Sequence, residues 1–288
     1  MIGALATTRE ASSMITASPS PKLACIGGGN MARALLGGWL SQGWQPAQLV
    51  VSEPNAEARA ALVRDFGINA VADNANAADG ADLLLLAVKP QVMQTVCREL
   101  APTVSATLPL VMSIAAGVRA ATLRRWLGGQ VPVVRCMPNT PALLRQGVTA
   151  LFAGAAVDAP QRACAEDLLR AVGDTVWISE ESQMDAVTAV SGSGPAYFFL
   201  LMEGLIEGGI AAGLPPEIAR QLVLKTAAGA ASLALAGSES PAELRQRVTS
   251  PGGTTQAALE VFAAANMKAV AAAAVAAATR RGAELSQS

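Results

Sequence analysis

Residues 22–38 read KLACIGGGNMARALLGG, and no other stretch constrains the fold as strongly. Leu23, Ala24, Cys25 and Ile26 form a short apolar run of the kind that makes a buried strand. Gly27, Gly28 and Gly29 interrupt it, and Met31, Ala34, Leu35 and Trp39 then recur at helical spacing. Strand, glycine turn and helix in that order make a dinucleotide-binding fingerprint, here Gly27-x-Gly29-x-x-Ala32. Gly27 permits the tight turn, Gly29 lets the backbone approach a pyrophosphate, and Ala32 lets the helix sit close to the strand. Asn30 and Met31 open the helix, whose free N–H groups and dipole favour a phosphate, and they join the three glycines as candidate cofactor-binding residues.

From Lys22 onward strand and helix patterns alternate, which predicts an α/β unit with a mostly parallel sheet and helices on both faces. Leu49–Val51 is the second strand, Ala56–Phe66 the next helix, and a weak strand sits near Ala70 and Val71. LLLLAV (83–88) is apolar throughout, as a strand buried on both faces should be. Gln91–Leu100 returns as a helix, Leu110–Ile114 as a strand, Arg119–Leu127 as a helix and Val131–Arg135 as a strand. Gly147–Phe152 and Thr175–Ile178 are late strands around the helix Gln161–Val172. After Ile178 only helix patterns remain, broken at SGSGP (191–195), GLPP (213–216), AGSESPAE (236–243) and SPGG (250–253). The spacing therefore predicts two domains, 22–180 and 181–288, preceded by a small, polar, unpatterned tail (1–21) read as disordered. The second domain is Ala- and Gly-rich with long apolar faces, and is expected to bury them against a second copy.

Composition removes several function classes. Twenty-one basic residues balance 22 acidic ones, so no nucleic-acid partner is expected. No run is read as long enough to cross a bilayer, the nearest being Ala269–Ala278, so no membrane partner is expected either. The four cysteines, Cys25, Cys97, Cys136 and Cys164, stand far apart without a C-x-x-C, which fits a reducing cytoplasm and no metal site. Histidine is absent, which excludes imidazole as a base, nucleophile partner or metal ligand.

Four stretches carry polar groups placed for chemistry. Ser52-Glu53-Pro54-Asn55 ends the second strand, and an acid about 20 residues beyond the glycines holds ribose hydroxyls and favours NAD. Glu53 stands near that place; the plain alternative is a solvated loop acid. Ala87-Val88-Lys89-Pro90-Gln91 follows the LLLL strand, at the end where such sheets bind ligands, with Lys89 placed for a ribose or phosphate or serving as an ordinary loop residue. Met137-Pro138-Asn139-Thr140-Pro141 is a rigid loop that structure alone can explain. The most pointed is VTSPGGTT (248–255), where two glycines and several hydroxyls open a helix. That arrangement suits a small anion, against the plainer reading of an N-cap at Thr254 or Thr255.

Taken together, IGGGNMA (26–32), AVKPQ (87–91), RCMPNTPA (135–142), SGSGPAY (191–197) and VTSPGGTT (248–255) resemble the pyrroline-5-carboxylate reductase family in order and spacing. The resemblance covers Lys22 to about Leu285 and rests most heavily on the last two motifs. It implies an N-terminal Rossmann-type doubly wound sheet followed by an all-α dimerisation domain. The implied activity is reduction of the C=N bond of 1-pyrroline-5-carboxylate to L-proline with NADPH or NADH, by a cytoplasmic homodimer that can stack into a larger ring of dimers.

By the same resemblance, Ser52, Pro54, Asn74, Val88, Lys89 and Ala115 are cofactor-contacting positions, and Ala87 and Pro90 of the AVKPQ stretch join them as cofactor-binding candidates. The substrate carboxylate would sit on N–H groups around Gly253 and Thr254 with Ser250 nearby, and the Thr255 hydroxyl, the one catalytic candidate, would bond the ring nitrogen. Glu181 aligns with an acid facing the substrate. Two departures stand out: Lys225 where the family usually has glutamine, and Glu53 where NADPH users often carry a small or polar residue. Two rivals share parts of the pattern, a hydroxyacid dehydrogenase of the 6-phosphogluconate type, for which Lys225 is the available acid, and a non-catalytic dinucleotide-binding protein.

Overall fold

The computed structural model describes residues 21–285; the expected tail, apart from Pro21, lies outside them. The strands are β1 (Leu23–Ile26), β2 (Leu49–Ser52), β3 (Asn69–Val71), β4 (Leu83–Leu86), β5 (Leu110–Ser113), β6 (Val133–Met137), β7 (Gly147–Ala153) and β8 (Gly173–Trp177). They form one sheet in the order β3-β2-β1-β4-β5-β6-β7-β8. Every pairing is parallel except β6 with β7. The helices threaded between them are α1 (Asn30–Ser41), α2 (Ala56–Phe66), α3 (Asn74–Ala78), α4 (Pro90–Thr107), α5 (Ala120–Trp126) and α6 (Ala159–Arg170). Then come α7 (Met184–Val187), α8 (Gly194–Ala211), α9 (Pro216–Ala236), α10 (Pro241–Arg247), α11 (Thr254–Ala264) and α12 (Met267–Leu285).

Burial on both faces explains why the central strands read as unbroken apolar runs. Leu23 and Cys25 of β1 pack into one core, while Ala24 and Ile26 pack into the other. Leu83 and Leu85 of β4 divide from Leu84 and Leu86 in the same way. On the first face Trp39 is fully buried and donates its ring N–H to the Leu168 carbonyl at 2.8 Å, tying α1 to α6. Gly38 makes that approach possible, since a Cβ there would stand 2.8 Å from the Ala171 carbonyl oxygen. All four cysteines are buried and free. Burial pushes the Cys25 and Cys97 thiols up to about 12, so neither is a ready thiolate nucleophile.

The chain divides into two compact units, the first reaching Gly192 and including the end of α12 from Thr279, the second running Ser193–Ala278. The doubly wound sheet of the first and the all-helical second have the architecture expected of the sequence. Four details differ. Helix α3 was not anticipated, because NANAA carries neither length nor an apolar stripe; Asp73 caps it through the Asn76 N–H. Helix α4 runs past Pro102 to Thr107 instead of stopping at Leu100, with Val104 buried in its last turns.

The stretch SGSGP is not a break. A 3₁₀ turn, α7 and a π-helical turn over Thr188–Gly192 lead directly into α8. This makes Glu181–Ala211 one helical run long and apolar enough to cross a membrane by length and composition, and it replaces Ala269–Ala278 as the nearest candidate. The pair α11 and α12 passes the same test only together, and is bent by 50°.

Candidate functional site

Four loops emerge at the carboxyl ends of β1, β2, β4 and β5, and backbone hydrogen bonds carry the sheet's register beyond the strands into them. Gly27 N–H donates to Ser52 O at 2.8 Å, Ala87 N–H to Ile26 O at 2.8 Å, Glu53 N–H to Val71 O at 2.9 Å and Ile114 N–H to Leu86 O at 3.1 Å. Strand order reverses here: β1 leads to β2 on one side and has β4 on the other, and in open α/β sheets a ligand crevice forms at that switch point.

The glycine turn meets the physical demands of a dinucleotide's phosphates. Gly27 sits at φ +100°, and a Cβ on it would lie 2.7 Å from the Ala87 carbonyl oxygen. At Gly28 a Cβ would stand 2.6 Å from Leu62 Cδ1. Gly29 is the N-cap of α1 with no side-chain cap, and a Cβ there would meet nothing within 4 Å. Two glycines are thus required by the protein's own packing, whereas the third leaves open space over uncapped N–H groups, which fits an anion.

The remaining cofactor candidates lie around this turn. Ser52 is buried and donates its hydroxyl to Asn74 Oδ1 at 2.6 Å; Asn74 Nδ2 in turn donates to Glu99 Oε2 at 3.2 Å. Glu53 is half-buried, accepting from Gly28 N–H at 3.1 Å and from Asn55 N–H at 3.0 Å. Pro54 is exposed, as are Lys89, the N-cap of α4, and Pro90 behind it. Ala87 and Val88 are half-buried beside Gly27, and Ala115 is buried after β5. Asn30 and Met31 form the first turn of α1.

Three side chains escaped the sequence reading. Arg59 reaches back along α2 and donates Nη1 to the Glu53 and Pro54 carbonyls, both at 2.8 Å. Helical side chains tilt toward the N-terminus, so an arginine one turn inside α2 was the available signal. Glu99 comes from α4 and Arg135 from β6, with no local sequence cue. Arg135 is buried and pairs with Glu181 at 3.0 Å, and the same Glu181 oxygen accepts the Ala120 N–H at 2.7 Å. Glu181 therefore anchors Arg135 and the start of α5, beside a cleft of about 180 Å³ that also involves Arg124 and Phe152. The MPNTP loop is a structural link: Asn139 accepts from Val148 N–H at 3.0 Å and donates to Ser191 Oγ at 3.4 Å.

In the second unit, Ser250–Gly253 turns tightly into α11. Gly253 is the N-cap, without a side-chain cap, so neither Thr254 nor Thr255 is one. Its own N–H donates inward to Ser250 O at 3.0 Å, and Gly252 N–H to Gln256 Oε1 at 2.8 Å. This corrects the expectation that Gly253 offers its N–H to an anion. The N–H groups of Thr254, Thr255 and Gln256 remain without partners among the described residues.

Fold and glycine turn define a dinucleotide-dependent oxidoreductase with a separate helical unit. Residues 22–117 match the family model described as NADP oxidoreductase, coenzyme F420-dependent, and residues 181–285 match pyrroline-5-carboxylate reductase dimerisation. A pyrroline-5-carboxylate reductase of Pseudomonas aeruginosa is 52% identical over 93% of this chain and 98% of its own. The solved pyrroline-5-carboxylate reductase of Coxiella burnetii superposes with a TM-score of 0.88 at 41% identity, covering 93% of this chain and 100% of that one. That of Plasmodium falciparum, with NADP bound, gives 0.83 at 28% identity over 92% and 98%. The chain belongs to the pyrroline-5-carboxylate reductase family.

The open space at Gly29 yields a direct test. Gly29→Val should leave the fold intact, because no protein atom opposes the new side chain, yet reduce affinity for reduced nucleotide by about tenfold or more by filling the phosphate approach. Fluorescence titration with NADH and NADPH, alongside circular dichroism, checks this; parent affinity in a folded variant would contradict it.

Proposed function

We propose that this chain reduces the C=N bond of 1-pyrroline-5-carboxylate to give L-proline, using NAD(P)H. The observation that carries this reading is the full-length relation to the Pseudomonas aeruginosa reductase, which spans the glycine turn and the Ser250–Thr255 turn together. The rivals have no comparable support. Lys225 is exposed on α9 and has no motif around it, and nothing favours a non-catalytic binder.

The balanced reaction adds one hydride and one proton across the imine. When bound, the reduced nicotinamide supplies the hydride to the imine carbon. Gly29, Asn30 and Met31 would present N–H groups to the pyrophosphate, while Gly27 and Gly28, whose N–H groups go to Ser52 and Glu53, shape the turn, with Ser52, Asn74, Val88, Lys89 and Ala115 lining the rest of the dinucleotide site. At Ser250–Thr255, the unpartnered N–H groups of Thr254, Thr255 and Gln256 suit the substrate carboxylate, while Ser250 and Gly253 shape the turn. The Thr255 hydroxyl holds the ring nitrogen. That nitrogen carries its own proton as an iminium, so no strong protein acid is needed, in keeping with a chain that lacks histidine. Catalysis then rests on orientation, which contributes up to roughly 7–11 kcal/mol when two reactants are well aligned. Glu181, with one oxygen engaged by Arg135 and Ala120, fixes Arg135 and the start of α5 in the first unit.

Assembly and location belong to the same proposal. The helical unit exposes Phe198, Phe199, Leu200 and Val261, each more than half accessible, together with an apolar cleft of about 410 Å³ lined by Tyr197, Leu205, Phe262 and Met267. We assign this apolar surface, including the α8 run, to a second copy of the chain instead of a membrane, with stacking of dimers into a ring as a further step. Light scattering on a dilution series should give a detergent-independent dimer or a multiple of it; an active monomer at micromolar concentration would contradict the assignment. A reducing cytoplasm is supported by the free cysteines, and counting four reactive thiols in the unfolded purified protein checks it.

Thr255→Ala separates the proposed role from a structural one. Losing a hydrogen bond to the reacting ring that strengthens in the transition state should cost on the order of 1.5–3 kcal/mol, roughly ten- to a hundredfold in turnover. Nucleotide affinity should not change. Parent turnover with unchanged half-saturation would remove Thr255 from the reaction.

A further inference from the structure

The loop between β2 and α2 carries two opposite charges, each fixed on backbone groups. The Glu53 carboxylate is drawn onto the glycine turn, one oxygen accepting from Gly28 N–H at 3.1 Å and the other from Asn55 N–H at 3.0 Å. A Cβ added to Gly28 would come within 3.3 Å of Glu53 Oε2, so acid and glycine turn are in close contact. From α2, Arg59 donates Nη1 to the Glu53 and Pro54 carbonyls of the same loop, both at 2.8 Å. Its Nη2 and Nε make no hydrogen bond among the described residues.

In this fold the acid at the end of the second strand accepts from the adenosine ribose hydroxyls, whereas a 2′-phosphate requires a cation there. Each Glu53 oxygen holds one backbone N–H and keeps lone-pair capacity for a hydroxyl donor. A phosphate dianion has no proton to offer and would face a carboxylate that two backbone bonds keep from turning away. Like charges so placed weaken binding by about tenfold or more.

Resting on the dinucleotide-binding reading of the first unit, we propose that Glu53 makes this reductase selective for NADH over NADPH, and that Arg59 is the guanidinium able to take a 2′-phosphate once the carboxylate is removed. The choice between the two nucleotides is thereby lodged in the contact of one carboxylate with Gly28, and the opposite preference is latent in the same loop. Arginine suits that second role because its planar fork matches phosphate oxygens.

The test is a set of dissociation constants for NADH and NADPH, by fluorescence titration, on the parent protein and on Glu53→Gln, Glu53→Ser and Glu53→Ser/Arg59→Gln. The parent should bind NADH about tenfold or more tightly than NADPH. Both single variants should shrink that ratio by about tenfold, mainly by tightening NADPH, and the second substitution should take the NADPH gain away. Glu53→Gln keeps the side chain's size and an oxygen for the Gly28 N–H, so it isolates the charge even if Glu53→Ser disturbs the loop. Equal or tighter NADPH binding by the parent, or an unmoved ratio in Glu53→Gln, overturns the proposal. Because the readout is binding, its failure is distinct from failure of the reductase reading. Preferential NADH binding without turnover of pyrroline-5-carboxylate would leave the proposal standing and remove the activity.

Discussion

The close approach of Gly27 to the end of β4 is the constraint on which the first unit depends. With φ +100° and only 2.7 Å between a hypothetical Cβ and the Ala87 carbonyl, any side chain would push β1 and β4 apart where strand order reverses. Because glycine stands there, backbone hydrogen bonds continue the ladder one step past the strands, the N–H groups of Gly27, Ala87 and Ile114 donating to the Ser52, Ile26 and Leu86 carbonyls. Four loops are thereby set in register by backbone alone. A ligand site made this way does not depend on flexible side chains, and it presents N–H groups to an anion without a buried positive residue.

Side chains then adjust what the backbone has built. Ser52, Asn74 and Glu99 form a hydrogen-bonded chain, and Glu53 and Arg59 place opposite charges on backbone groups of the loop after β2. Further along the sheet, Arg135 is buried and paired with Glu181, a pairing whose loss would leave an uncompensated charge in the core. Asn139 bonds Ser191 while Met137 lies so near Gly192 that a Cβ would stand 2.7 Å from its Cε. RCMPNTPA and the first residues of SGSGPAY are in direct contact.

How much of this was legible in the sequence follows from where each property resides. Central strands such as Leu83–Leu86 are buried on both faces and so read as unbroken apolar runs. The glycine turn was legible because its chemistry is backbone geometry, encoded by which positions lack a Cβ. Helix α3 was not, having only five residues and no apolar stripe, and SGSGP was misread because small residues can pass through a π turn as readily as a loop. Arg59, Glu99 and Arg135 were missed because they act by reaching across to another element or back over their own. The donors of the Ser250–Thr255 turn were only half legible: a helix opens here, but its N-cap is Gly253 and not Thr254 or Thr255, and the Gly253 N–H is turned inward to Ser250 while the threonine amides take its place.

If a helix-start anion site and a glycine-turn nucleotide site suffice for imine reduction in a chain without histidine, proline forms from pyrroline-5-carboxylate and reduced nucleotide alone. The most direct measurement follows oxidation of reduced nucleotide with pyrroline-5-carboxylate as sole substrate while proline is quantified in the same sample. The expected result is one proline formed per nucleotide oxidised, with 3-hydroxy acids inert in the reverse direction. A nucleotide-binding protein that forms no proline with either NADH or NADPH would contradict it.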